Sequence, residues 1–123
     1  AKTETPTLKL RVEFPGARVL GPGKADLLEG ILATGSISAA GRAMGMSYRR
    51  AWTLVEAMNA MFSSPLVVAN RGGAQGGGAR VTDAGLRVLG EYRQLEARMR
   101  KAIAPHVETL SAMIADPDRP PET

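Results

Sequence analysis

The sequence contains no cysteine among its 123 residues and a single histidine, His106. Without cysteine there are no disulfides and no thiolate metal sites, which suits a reducing compartment. No run approaches the roughly 20 apolar residues of a membrane span, and the first ten residues lack the apolar core of a signal peptide. We therefore expect a cytoplasmic protein with no membrane partner. With no metal-ligand cluster and no short motif of paired carboxylates, we expect neither a metal site nor an enzyme.

Acidic residues are scarce in the middle of the chain. Between Gly30 and Thr82 there are five arginines and one acid, Glu56, a net charge of +4. The whole chain also carries +4, so the flanks sum to zero. Planar guanidinium groups favour bidentate recognition over diffuse attraction. The middle of the chain is the candidate surface for an anionic partner, and its arginines are Arg42, Arg49, Arg50, Arg71 and Arg80.

The stretch 36–55 predicts two short helices joined by a tight turn. The first is expected over about Ser38–Met44. Gly45 is expected to end it, because glycine tolerates the left-handed backbone common at a helix C-terminus. Ser47 can cap the next helix by accepting a bond from its free amides. This is the pattern of a helix-turn-helix.

The second helix begins at Ser47 and carries one buried stripe, because its apolar residues recur every three or four positions. Its first turn differs: Tyr48, Arg49 and Arg50 stand where the stripe is absent. Helix-turn-helix proteins present this end to base edges and phosphates in the major groove. Either role is open to an arginine. The predicted DNA contacts of the motif are Ser36, Ser38, Ser47, Tyr48, Arg49, Arg50 and Thr53.

The segments before this motif predict a strand and a helix. Residues 8–14 alternate apolar and charged, as a half-buried strand does. A single strand is unstable, and its candidate partners are Leu66–Asn70 and Arg80–Thr82. A helix is predicted over Lys24–Ala33, ending at Gly35. Met46 is expected to face inward, and Trp52 is interpreted as core rather than as a ligand platform. The predicted core comprises Leu28, Ile31, Ile37, Ala40, Met44, Trp52 and Val55.

A strand, a glycine-rich loop and a strand follow the helix-turn-helix. In this position they predict the wing of a winged helix, which contacts the DNA backbone. Two alternatives are a floppy surface loop and a nucleotide-binding loop, although the Gly-Lys-Ser/Thr ending of a P-loop is missing. The predicted DNA contacts of the wing are Arg71, Gly76, Gly77 and Arg80.

A long helix is expected to open at Thr82 and Asp83. The apolar stripe of this helix is longer than the three-helix domain can cover. The far half of the helix is therefore expected to pack on the same helix of a second chain. Pro105 is expected to kink or divide it. The predicted dimer interface comprises Leu89, Tyr92, Leu95, Met99 and Ile103. The predicted organisation is a winged helix-turn-helix DNA-binding domain over 1–82, a dimerisation helix over 83–115 and a disordered tail over 116–123. The fold class is mainly α with a small β-sheet.

Several motifs occur together in this chain. Gly35-Ser36-Ile37-Ser38 enters the helix-turn-helix, Ser47-Tyr48-Arg49 is followed by Ala51-Trp52, and a triple glycine precedes Thr82-Asp83-Ala84-Gly85. In this combination, over about Leu8 to Leu95, the chain resembles the DNA-binding domain of the molybdate-responsive transcriptional regulators of the ModE family. Met58-Asn59 and Leu66-Val67 belong to the same resemblance.

The resemblance implies a homodimeric winged-helix transcription factor that represses, and sometimes activates, genes for molybdate uptake and molybdoenzymes. Longer members carry two molybdate-binding β-barrel domains with a Ser-Ala-Arg-Asn motif after the long helix, and this sequence ends at Thr123 without that motif. We expect no cofactor in this chain and a separate molybdate-sensing protein as a further partner.

The leading expectation is a dimeric repressor that reads a palindromic operator in double-stranded DNA through the helix starting at Ser47. The alternative is a winged-helix adaptor that binds another protein and does not read DNA. An adaptor has no need of a recognition turn without acids, so the charge distribution favours the regulator.

Overall fold

A computed structural model describes residues 6–70 and 78–115. The predicted fold class, mainly α with a small β part and a long last helix, is confirmed. Within these ranges, no helix combines the length and apolar character that crossing a bilayer requires. The elements in chain order are β1 (Val12–Phe14), β2 (Arg18–Leu20), α1 (Pro22–Thr34), α2 (Ile37–Ala43), α3 (Tyr48–Met61), β3 (Val67–Asn70), β4 (Gly78–Val81) and α4 (Asp83–Met113).

The N-terminal strand pairs with a strand that immediately follows it. β1 and β2 are antiparallel, with Val12 opposite Leu20. The prediction that this strand joins the wing strands is wrong, since the two hairpins form separate sheets. Residues 15–17 make the turn, and Gly16 has a φ of 83°, in the left-handed region that suits a residue without a side chain; Ala17, with a φ of 60°, adopts the same region. The partner is therefore supplied locally.

Three helices enclose the core, and small residues let them approach closely. A Cβ on Gly30 would lie 3.0 Å from the Cβ of Ala40, and one on Gly41 would lie 2.7 Å from the Cβ of Ala51. α2 is thereby held close to both α1 and α3. The buried apolar residues of these helices are Ala25, Leu27, Leu28, Ile31, Ile37, Ala40, Ala51, Val55 and Met58.

Two members of the predicted core differ in the structure. Met44 is 37% exposed, because α2 ends at Ala43 and Met44 is its C-terminal cap. Trp52 is half-buried: it packs against the core and also reaches the surface. Met46 is half-buried against the core, as predicted. The five other predicted positions are buried.

The helix ends follow the sequence signals. α1 ends at Thr34 and is capped by Gly35, with a φ of 71°, and Gly45, with a φ of 74°, follows α2. The Ser47 hydroxyl accepts a hydrogen bond from an amide in the first turn of α3, and Thr82 does the same for α4. Each cap satisfies an amide that helix geometry leaves free. The predicted stops and caps are confirmed.

α4 is one continuous helix of 31 residues, so Pro105, which lies inside it, does not divide it. Its first turns belong to the body, because Leu89, Tyr92 and Glu96 are buried. The Tyr92 hydroxyl donates a hydrogen bond to the Leu10 carbonyl over 2.6 Å, which fixes the segment before β1 against α4. Beyond Glu96, the described residues of α4 are exposed or half-buried.

A cluster of charges joins α4 to α1. Nη2 of Arg93 lies 2.8 Å from Asp26 Oδ1 and 3.0 Å from Glu29 Oε1, and Nη1 lies 2.9 Å from Glu96 Oε1. Burial opposes the charge of Arg93, but its hydrogen bonds to the three carboxylates outweigh that effect and raise the pKa of the guanidinium above its ordinary value. The ion pairs of Arg93 with Asp26 and Glu29 therefore fix the orientation of α4 relative to α1.

Candidate nucleic-acid interface

α2 and α3 form a helix-turn-helix. The Met46 amide donates a hydrogen bond to the Gly41 carbonyl over 3.0 Å, which closes the turn between the helices. Because Gly41 also contacts Ala51, α3 lies tightly against α2. The spatial relation between the two helices is therefore fixed by backbone hydrogen bonds and by close packing.

The first turn of α3 carries Tyr48, Arg49 and Arg50, and all three are exposed. Ser47 Oγ accepts a hydrogen bond from the Arg50 amide over 3.1 Å, so this hydroxyl holds the turn and keeps its proton for another acceptor. The turn contains no acid. Two exposed guanidinium groups without an acidic neighbour in the turn form a surface suited to a polyanion.

The other polar residues predicted around this turn occupy different places. Ser36 caps α2, and its hydroxyl accepts a hydrogen bond from an amide of the first turn over 3.0 Å. Ser38 is half-buried, and both serines share a small cleft with Tyr48. Thr53 is exposed, but its hydroxyl donates to the Arg49 carbonyl over 2.9 Å. The structure thus places Ser36 and Ser38 beside the first turn of α3, the recognition turn, whereas the Thr53 hydroxyl is hydrogen-bonded to the backbone of α3.

The wing strands β3 and β4 are antiparallel, with Val68 opposite Arg80. Arg80 is exposed on β4. The other predicted wing contacts, Arg71, Gly76 and Gly77, lie outside the described residues.

β4 docks on the loop that enters the helix-turn-helix. The Ala79 amide donates a hydrogen bond to the Gly35 carbonyl over 2.9 Å. A Cβ on Gly78 would lie 2.9 Å from the same oxygen, so only glycine fits without a shift. Arg80 follows Ala79 in the chain, so this contact fixes the position of the Arg80 backbone.

The sequence analysis missed a basic group beside α3. Lys24, at the start of α1, donates a hydrogen bond to the Val19 carbonyl over 2.6 Å. Burial, together with the nearby charges of Arg11 and Arg50, lowers the pKa of Lys24. The positive surface around Arg50 therefore extends toward the β1–β2 hairpin. The sequence gives no pattern for this, because it depends on the packing of α1 beside α3 and on the hairpin that places Arg11 next to Gly21.

The structure corrects the predicted dimer interface at two positions. Leu89 and Tyr92 are 7% and 1% exposed, because they pack into the core of their own chain. They have almost no surface left to bury against a partner. Leu95 is 48% exposed, and Met99 and Ile103 are half-buried, so these three remain available.

A helix-turn-helix followed by a β-hairpin that docks on it defines a winged helix-turn-helix protein. No protein-family model matches the chain. A solved structure, of a LysR family transcriptional regulator, shares the fold with a TM-score of 0.54 at 14% identity, over 71% of this chain and 28% of that one.

The chain is homologous to the ModE and Mop proteins. It is 42% identical over 100 residues to the molybdenum-pterin-binding protein MopB of Rhodobacter capsulatus. These 100 residues are 81% of this chain and 37% of the relative. It is 43% identical over 84 residues to the molybdenum transport protein ModE of Azotobacter vinelandii, covering 68% and 31%. Identity to the DNA-binding transcriptional dual regulator ModE of Escherichia coli is 37% over 96 residues, covering 78% and 35%. The chain thus spans about a third of the length of these relatives, and the predicted family resemblance is confirmed.

Proposed function

We propose that this chain is a homodimeric, sequence-specific DNA-binding transcriptional regulator that acts as a repressor. The observation that carries the proposal is the first turn of α3, which presents Tyr48, Arg49 and Arg50 to solvent beside the start of α2 and the wing. The names of the relatives, among them a DNA-binding dual regulator, support the same class. A repressor of this kind occupies its operator and excludes other proteins from it.

The two arginines have different roles in this proposal. Consecutive helical residues point about 100° apart, so Arg49 and Arg50 do not reach the same target. Arg50 lies near enough to Lys24 for its charge to add to burial and to Arg11 in lowering the pKa of Lys24. A surface where positive charges accumulate suits the phosphate backbone. Arg50 is therefore assigned to phosphate, and Arg49, with Tyr48, is assigned to base edges.

The remaining predicted contacts are positioning contacts. Ser36, Ser38 and Ser47 offer hydroxyl protons close to the recognition turn, and Arg80 offers a guanidinium group on the wing. Such contacts fix the register of a protein on the duplex without reading sequence. Arg71, Gly76, Gly77 and Thr53 stay predictions.

The dimer is proposed to form through the second half of α4. Met99, Ile103 and Val107 continue, at intervals of three or four, the face on which Glu96 is buried. An apolar stripe of this period needs a partner, and a second copy of the same helix supplies one. Farther along, Leu110 and Ile114 are 61% and 75% exposed. Two half-sites one helical turn of DNA apart, or a multiple of it, are then read together.

The physiological signal is proposed to concern molybdenum, because the relatives are named for molybdenum transport and molybdenum-pterin binding. We assign the DNA-binding step to this chain, in the cytoplasm. Residues 8–95 carry the resemblance on which this rests.

The test is selection of bound sites from random duplex DNA. The wild type is expected to enrich a two-fold symmetric site, and the double variant Arg49→Ala/Arg50→Ala to enrich none. The variant Arg98→Ala/Lys101→Ala is the matched control, because it loses the same charge from exposed positions on α4 and should enrich the wild-type site. If the wild type enriches no sequence, the proposal is wrong and a protein-binding adaptor becomes the better account.

A further inference from the structure

A small cleft lies where the three DNA-facing segments meet. It has a volume of about 70 Å³ and is lined by the start of α2, the first turns of α3 and the start of β4. Ser36 and Ser38 come from α2, Tyr48 and Trp52 from α3, and Gly78 from β4. This space holds only a few groups of the size of a water molecule, so a whole base does not fit.

One wall of the cleft is aromatic. The ring centroids of Tyr48 and Trp52 are 6.1 Å apart, and their planes meet at 71°, the edge-to-face arrangement that aromatic pairs favour. Trp52 is anchored by its packing against the core, whereas Tyr48 is 60% exposed. The pair therefore places an apolar surface, fixed at one end, beside Arg49.

The opposite wall is set by the backbone. The hydrogen bond from the Ala79 amide to the Gly35 carbonyl holds β4 in place, and Gly78 and Ala79 line this side of the cleft. At the rim, the Ser36 hydroxyl accepts the cap hydrogen bond of α2 and keeps its proton to donate. The cleft is thus formed before any ligand binds.

The charge around the cleft favours DNA as its occupant. Arg49 and Arg50 lie in the sequence between Tyr48 and Trp52, which line the cleft, and the first turn of α3 contains no acid. The major groove exposes one small apolar group, the 5-methyl of thymine, which lies next to the O4 acceptor. We propose, on the basis of the proposed function, that the Tyr48–Trp52 cleft seats a thymine methyl group and makes one operator position specific for thymine.

The experiment uses the preferred site of the wild-type protein and replaces each thymine in turn by deoxyuridine, which removes only the methyl group. One position in each half-site is expected to lose about fourfold in affinity, the effect of burying one methyl group. Tyr48→Ala is expected to abolish the difference between thymine and uracil at that position. Tyr48→Phe is the matched control, because it keeps the ring and should keep the difference.

The outcomes separate this inference from the proposed function. If a preferred site exists but no deoxyuridine substitution weakens binding, the inference is overturned and the proposed function stands. The same holds if the fourfold difference survives unchanged in Tyr48→Ala. If the wild type has no preferred site, the proposed function itself fails.

Discussion

Asn59 hydrogen-bonds both backbone polar groups of Val67. Its Nδ2 donates to the Val67 carbonyl over 2.9 Å, and its Oδ1 accepts from the Val67 amide over 3.1 Å and from the Leu66 amide over 2.8 Å. The Asn59 side chain thus makes the hydrogen bonds that a neighbouring strand would make at the edge of β3. Because Asn59 lies on α3, these bonds tie the recognition helix to the wing.

Replacing Asn59 by leucine should therefore destabilise the domain. Leu66 and Val67 are 0% and 3% exposed, so their amides would lose their partner in a buried place. We expect a loss of about 2–3 kcal/mol in the free energy of unfolding, measured in urea. Asn59→Asp keeps the oxygen that accepts from the two amides but turns a second oxygen, in place of the Nδ2 donor, toward the Val67 carbonyl, so it should lose stability as well. An Asn59→Leu variant as stable as the wild type would contradict the role of these hydrogen bonds.

Two glycines of α4 should respond to alanine in opposite directions. A Cβ on Gly85 would collide with the Leu66 carbonyl oxygen and lie 2.7 Å from Cγ1 of Val81, so Gly85→Ala should cost about 1–3 kcal/mol. Gly90 is exposed and has no such neighbour within 4 Å, so Gly90→Ala should gain about 1 kcal/mol from helix propensity. Thermal or urea unfolding measures both. Similar shifts in the two variants would contradict the close packing of α4 on Leu66 and β4.

The buried phenol of Tyr92 should make stability fall at alkaline pH. Burial, followed by the charge of nearby Glu96, raises the pKa of Tyr92 above its ordinary value near 10. The folded state therefore favours the neutral phenol. Its contribution is complete below the unfolded-state pKa and is lost as the pH rises through the folded-state pKa.

Tyr92→Phe removes both the titration and the hydrogen bond to the Leu10 carbonyl. At pH 8 the wild type should be more stable by about 1 kcal/mol, and the difference should shrink as the pH rises above 10. Urea unfolding of both proteins across this range measures it. A difference that does not change with pH would mean that Tyr92 does not titrate differently in the folded protein.

A charge on the far half of α4 should separate the proposed dimer without unfolding the domain. Ile103 lies beyond Glu96, the last fully buried position of the helix among the described residues. Ile103→Glu should therefore sediment as a monomer and bind DNA more weakly, because two half-sites are no longer engaged together.

Gln94→Glu adds the same charge at an exposed position of α4 and should remain a dimer. A wild-type protein that sediments as a monomer at tens of micromolar would contradict the dimer. Leu89→Glu is not a test of the interface, because Leu89 is a core residue.

Local signals predicted the helices and their ends, because a glycine or a serine decides them within a few residues. Gly35, Gly45, Ser47 and Thr82 all act where the pattern placed them. The period of α4 predicted its stripe, but periodicity alone does not say what covers each part. Leu89 was therefore assigned to a partner although the chain's own core covers it.

The rest depends on contacts between distant segments. The β1–β2 hairpin was missed because β2 has only three residues and the alternation of residues 8–14 gave no sign of its partner. The cleft at Trp52 was missed because Trp52 lies on the apolar stripe of α3. That position predicts a core residue, although the side chain also reaches the surface. The bonds of Asn59 need α3 and β3 side by side, which no spacing of residues reveals.

The central claim is that the first turn of α3 reads a DNA sequence. The most direct test is a competition between the selected operator and each of its single-base variants, measured for the wild type, Arg49→Ala and Arg50→Ala. Arg49→Ala should cost about 1–3 kcal/mol on the operator and relax the preference at one base position, whereas Arg50→Ala should weaken operator and random DNA by similar factors. If both variants keep the wild-type ranking of the single-base variants, this turn does not read sequence and the claim is contradicted.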